Sequence, residues 1–198
     1  MLIEQDRAKI ISGVRHGETL GSPIGMTVEN KDWANWEEAM AVDPLEGPPE
    51  SPRTRRITRL RPGHADLPGT MKYGFEDVRN VLERASARET AGRVAAGAIA
   101  IKLLEEFGIQ IHSHVLSIGT VHASAPENID WAAVEESPVR CADPDAALKM
   151  AGAIDAAKEA GDAIGGTCEI IAENVPIGLG SHVSWDRKID AQVAQALM

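Results

Sequence analysis

Hydrophobic and polar positions change period several times along the chain, and each change marks an element. In residues 9–30 two β-leaning runs flank a glycine-bounded turn at 17–21, the pattern of an antiparallel hairpin. Residues 43–54, DPLEGPPESPRT, hold four prolines and three acids and predict a loop. ITRLR at 57–61 predicts a short strand ending at Pro62, followed by a turn over RPGHADLPGT. Two helices are then expected, over 75–85 and 86–107, with a stop at Gly108. Ala91, Val94, Ala95, Ala98, Ile99 and Leu103 keep helical spacing, and Lys102 is the poor fit in that stripe. Ser86 followed by Glu89 has the form of a capping box.

Further on, Ile109, Ile111, Ser113 and Val115 share one side of an alternating run, which predicts a strand within 109–122. A polar loop with room for a short helix covers 126–137. Asp143 as N-cap, Pro144 at the first helical position and Gly161 just past the end predict a helix to about Ala160. TCEIIAENV (167–175) reads as a strand, PIGLGSHVSWD as a loop, and 189–198 as the start of a helix. Strands, then helices, then strands favour an α+β fold over a regular βαβ array.

Composition adds limits. A chain of 198 residues suits one domain that buries roughly 70% of its unfolded surface without disulfide or metal. No stretch approaches 18 uncharged apolar residues, so no membrane span is expected, and MLIEQDRAKI lacks the apolar core of a secretory signal. Cys141 and Cys168, without CxxC spacing, predict a reduced, cytoplasmic protein. The formal net charge is −10. Arg53, Arg55, Arg56, Arg59 and Arg61 are five of the 20 basic residues, leaving 15 against 30 acidic ones. That acidic remainder, with no interleaved aromatics, speaks against nucleic acid as a partner. The concentrated arginines are either a solvated loop or a setting for a small, highly anionic ligand.

Two constellations could carry chemistry. In Arg59-Leu60-Arg61-Pro62-Gly63-His64-Ala65-Asp66 an imidazole follows a Pro-Gly turn beside two arginines. A positive field favours its neutral form and suits proton transfer near an anion; the competing reading is an exposed turn. In Arg84-Ala85-Ser86-Ala87-Arg88-Glu89-Thr90 a helix start offers free N–H groups to an anion, with two fork donors beside it. The competing reading is capping with solvated arginines, although cations at that end oppose the helix dipole. His112 and His114 would share a strand face, with His122 further on, but no acid or cysteine completes a ligand set and no metal site is expected. Gly178-Leu179-Gly180-Ser181-His182 lacks the strand–helix setting of a phosphate loop, and neither cysteine sits as a nucleophile would.

Five segments in order, SGVRHGETLGSPIGM (12–26), MTVENKDW (26–33), RPGHADLPGTMKYG (61–74), ERASARETAGRVAAG (83–97) and VPIGLGSHV (175–183), resemble the chorismate synthase family in an actinobacterial-like version. The resemblance implies a carbon–oxygen lyase of the shikimate pathway. Its reaction is the 1,4-anti elimination of phosphate from 5-enolpyruvylshikimate-3-phosphate, giving chorismate for aromatic amino acid biosynthesis. It also implies reduced FMN, with NADPH as a reductant, a homotetramer, and a β-α-β sandwich with helices packed between antiparallel sheet layers. By the same resemblance His64 is catalytic, protonating reduced flavin. Arg84, Ala85 and Ser86 match the flavin-contacting triplet, with alanine where a second serine is usual. Arg61 and Arg88 match substrate-binding arginines. Arg140-Cys141-Ala142-Asp143-Pro144 departs slightly from the family's third signature. The family's Gly-Glu-Ser-His-Gly opening and its C-terminal flavin loops have no match here. The expectation is therefore a partial domain over 1–198, cut at both ends and inactive alone. The rival expectation is a non-catalytic phosphate- or flavin-binding module.

Overall fold

The computed structural model describes residues 6–85, 87–124 and 128–198. They fall into two compact units, 1–100 and 101–198, each taken here by itself.

The first unit opens with the expected hairpin, split into two ladders. β1 (Ala8–Ser12) leads to β2 (Val14–Arg15), β3 (Glu18–Thr19) and β4 (Gly25–Val28). β1 pairs antiparallel with β4 from Ala8–Val28 to Ser12–Gly25 with a bulge after Ile10, and β2 pairs with β3 at the tip. The proline-rich stretch is irregular apart from one 3₁₀ turn, Pro52–Thr54, capped by the Ser51 side chain.

The segment after it differs from the sequence pattern in three places. Residues 57–61 form no strand. Ile57 donates its N–H to Asp77 and accepts from Val78 instead, so both of its backbone groups are satisfied without a partner strand. The turn is confined to residues 62–65, and α1 (Asp66–Tyr73) begins at its end. Pro68 is third in this helix, where its missing N–H would have had no intrahelical partner, and Gly74 closes it in the left-handed region at φ 66°. In place of a helix over 75–85 there is one turn, α2 (Arg79–Leu82). It packs against α1 at Gly69, where a Cβ would lie 2.7 Å from Val81 Cγ1. α3 (Ala87–Glu106), whose residues from Ile101 on belong to the second unit, follows as expected. Ser86, expected to cap it, lies outside the described residues. No described residue of α3 is buried, and Val94 and Leu103 of its apolar stripe are 68% and 60% exposed.

The second unit is built on β5 (Gln110–Ile118) and β6 (Val121–His122), joined by a turn at Gly119. α4 (Trp131–Glu136) is capped by Asp130, and α5 (Pro144–Ala160) has the expected Asp143, Pro144 and Gly161 in their expected roles. β7 (Gly166–Glu173) pairs antiparallel with β5 along nearly its whole length, giving the order β6-β5-β7. α6 (Ile189–Leu197) ends the unit. Met150, Ala146 and Ala147 of α5 are buried with Cys141, against Val115, Ile118 and Val121 of the sheet. The fold is α+β with antiparallel sheets, as expected.

The chain exposes 15927 Å². Two separate globular bodies of half its length would together expose only about 11,000 Å². Large apolar side chains stand in water in both units, among them Met71 and Val94 in the first and Leu148 and Val183 in the second.

Candidate functional site

Residues 61–66 hold a compact polar cluster in the first unit. Asp66, the first residue of α1, is fully buried. Its carboxylate accepts from the Arg61 backbone N–H at 2.8 Å and from Arg61 Nε and Nη2 at 3.0 and 2.8 Å. These Arg61 hydrogen bonds outweigh burial and hold the Asp66 pKa down at about 2. Arg61 is raised in turn by its bond to Asp66. Arg61 Nη2 also lies 3.0 Å from His64 Nδ1. Nη1 of Arg61 has no hydrogen-bond partner among the described residues. His64 is about one-third exposed.

Arg61, Ala85 and Arg88 come together on one open cavity of about 710 Å³. Met26 and Val28 of β4, with Leu82 and Ala91, give it an apolar side. Glu29 and Glu83 bring negative charge to the same space, and Glu83 pairs with Arg88 Nη2 at 2.9 Å. His64 is not among the described residues that line the cavity; it touches Arg61, which does. Arg84 lies apart, lining a second cavity of about 570 Å³ between α1 and α2 and pairing with Glu89 at 3.3 Å. Ser86, expected beside the flavin, lies outside the described residues.

Most of the arginine-rich segment is engaged inside the chain. Arg53 pairs with Asp32 at 3.0 Å and lies 4.6 Å from the Trp36 ring centre, with Arg79 5.1 Å from it. Arg56 pairs with Glu76 at 2.7 Å. Of the five clustered arginines only Arg61 reaches the cavity. Asp66 closes the first constellation and Glu83 opens the 83–97 segment, but the sequence assigns neither a role; in the structure they are the acids that hold Arg61 and Arg88. The available signal was a carboxylate five residues from each arginine, on the far side of a turn in one case and before a helix start in the other.

In the second unit His112 stacks on Trp131, with ring centres 4.3 Å apart, and His114 meets the same ring edge-on. His114 Nε2 is 2.9 Å from Glu169. The described residues contain no group of three or more His, Cys, Asp or Glu side chains placed to hold a metal.

A family model described as chorismate synthase matches residues 1–198. The chain belongs to the chorismate synthase family. It is 55% identical over 205 residues to the chorismate synthase of Geobacillus sp. (strain WCH70) and 53% identical over 203 residues to that of Symbiobacterium thermophilum. Each alignment takes in all of this chain and 52% of the relative. A solved structure, described as the crystal structure of chorismate synthase, superposes with a TM-score of 0.77 at 41% identity, covering 98% of this chain and 52% of that one. The chain thus spans about half the length of the chorismate synthases it matches. Among its described residues no helix is long and apolar enough to cross a membrane.

Proposed function

We propose that this chain carries part of the active site for phosphate elimination from 5-enolpyruvylshikimate-3-phosphate to chorismate, with reduced FMN as cofactor. The observation that carries the reading is the convergence of Arg61, Ala85 and Arg88 on one cavity, beside His64, in a member of this family. The cavity volume falls within the roughly 300–1,000 Å³ of small-molecule sites. Its chemistry also fits a flavin and a phosphorylated acid: an apolar wall for a planar ring, and guanidinium donors for anions.

In this reading Arg88 binds a substrate anion through its fork, and Arg61 presents the Nη1 edge left over from Asp66. Of the Arg84-Ala85-Ser86 triplet, Ala85, which lines both cavities, borders the flavin through backbone rather than a hydroxyl, and Arg84 approaches it from the neighbouring cavity. His64 donates a proton toward the reduced ring. The chemistry supplied by FMN when bound is transient donation of an electron that helps the carbon–oxygen bond to phosphate break. NADPH serves as reductant, and the whole protein acts as a cytoplasmic homotetramer. The unpaired Cys141 and Cys168 support a reducing compartment. The 198-residue chain alone does not turn over.

An anaerobic assay of the purified chain with reduced FMN and substrate tests this. No chorismate is expected, and detectable product would overturn the inactivity. In a chain extended to the length of its relatives, His64→Ala should lower turnover about 10²-fold, the usual scale of lost proton transfer. Unchanged turnover would remove His64 from the mechanism. Micromolar FMN binding by the 198-residue chain without product would favour the non-catalytic binding module.

A further inference from the structure

The geometry points to Asp66 as a positioning residue that acts through Arg61 to fix the tautomer of His64. The inference deepens the reading above and rests on it for its functional meaning. An arginine side chain has donors and no acceptor. At 3.0 Å from Arg61 Nη2, His64 Nδ1 must therefore be the acceptor, and the neutral ring carries its proton on Nε2. The alternative, Nδ1–H donated to Asp66, faces a 3.6 Å separation and would set two N–H groups against each other.

Asp66 makes this arrangement rigid. Its two oxygens take Arg61 Nε and one N–H of Nη2 side by side, while the Arg61 backbone N–H is tied to the same carboxylate. A bidentate carboxylate fixes the plane of the guanidinium. The second Nη2 hydrogen then has one direction left, toward the imidazole. The low pKa of Asp66 keeps it an acceptor throughout the neutral range. His64 is thus held with its Nε2–H opposite the anchored edge, where the neutral ring offers a hydrogen bond to an acceptor. Orientation of a catalytic imidazole through hydrogen bonding at its other nitrogen is a general device.

The test is nitrogen-15 NMR of the histidine-labelled 198-residue chain, well above the ordinary histidine pKa of about 6.5. The His64 signals are identified by their loss in His64→Gln. Wild type should show a single tautomer, with Nε2 protonated and Nδ1 bare, distinct from the averaged values of the exposed His16 and His182. Asp66→Asn and Arg61→Lys should each move both His64 resonances toward those averaged values. Arg61→Lys keeps the charge but loses the fork, so it decides the matter if Asp66→Asn does not fold. A protonated Nδ1, averaged signals in wild type, or unchanged signals in a folded variant would overturn the inference. The readout does not depend on catalysis. A fixed tautomer together with full turnover of His64→Ala in the extended chain would overturn the functional reading and uphold the positioning.

Discussion

The buried carboxylate of Asp66 accepts three hydrogen bonds from Arg61 alone, one from its backbone and two from its guanidinium. Its pKa is lowered from 3.8 to about 2. A carboxyl group with a depressed folded-state pKa stabilises the fold fully above its unfolded value and loses that contribution as pH falls through the folded value. The first unit should therefore weaken between about pH 4 and pH 2. Asp66→Asn should be less stable at neutral pH and show a flatter acid limb in this window. Urea midpoints of both proteins across that range measure it, and parallel acid limbs would contradict the assignment.

Gly69 sets the approach of α1 to α2. An alanine there gains about 0.5–1 kcal/mol of helix preference, but its Cβ would sit 2.7 and 2.9 Å from the two Val81 methyl groups. Overpacking of that kind costs about 1–3 kcal/mol. Gly69→Ala should thus destabilise the first unit on balance. The double variant Gly69→Ala/Val81→Ala should lose less than the two single losses combined, because the clash and the cavity offset each other. Urea unfolding of the four proteins gives the coupling, and strict additivity would place the clash elsewhere.

The elements governed by local chemistry were legible in the sequence. The Asp143-Pro144 start and Gly161 stop of α5, the antiparallel hairpin of β1 and β4, and the long α3 all follow from periodicity and end signals. α1 was hidden because Pro62, Gly63, Pro68 and Gly69 all read as breakers, although Pro68 stands where a helix has no bond to lose. Residues 57–61 read as a short strand ending at Pro62, yet no strand pairs with them among the described residues, and pairing is a property of the fold rather than of the segment. The arginines of the site were legible as residue types. Which of them face the cavity was not, because the partners of Arg53, Arg56 and Arg84 are acids brought close by backbone geometry.

Asp143 caps α5 by accepting from the Asp145 and Ala146 N–H groups, both at 3.0 Å, and it ties down the Ser124 N–H at 3.1 Å. The backbone bond from Ala146, followed by that from Ser124, lowers its pKa. Loss of such a cap costs about 0.5–2 kcal/mol, so Asp143→Ala should lower the urea stability of the second unit by about that much. Asn caps nearly as well as Asp but does not titrate. Asp143→Asn should keep most of the neutral-pH stability and lose the part that wild type sheds as pH falls below the ordinary Asp range. An Asn variant as damaged as the Ala variant would show that the charge, not the cap, matters.

Glu83 and Arg88 meet at 2.9 Å on the rim of the 710 Å³ cavity, so the carboxylate competes with any anion for that guanidinium. Exposed pairs of this kind are worth up to about 1 kcal/mol, a factor of about five in affinity. Glu83→Gln should therefore tighten binding of inorganic phosphate to the 198-residue chain by up to about fivefold, measured by calorimetry. Arg88→Ala should weaken it, and Glu83→Gln should bring little gain once Arg88 is gone. In a chain extended to the length of its relatives, Arg88→Ala should raise the substrate KM or lower turnover at least tenfold, about 1.4 kcal/mol of lost anion binding. If Glu83→Gln tightens phosphate equally with and without Arg88, the gain comes from the general field of the cavity, and Arg88 is not the anion's partner.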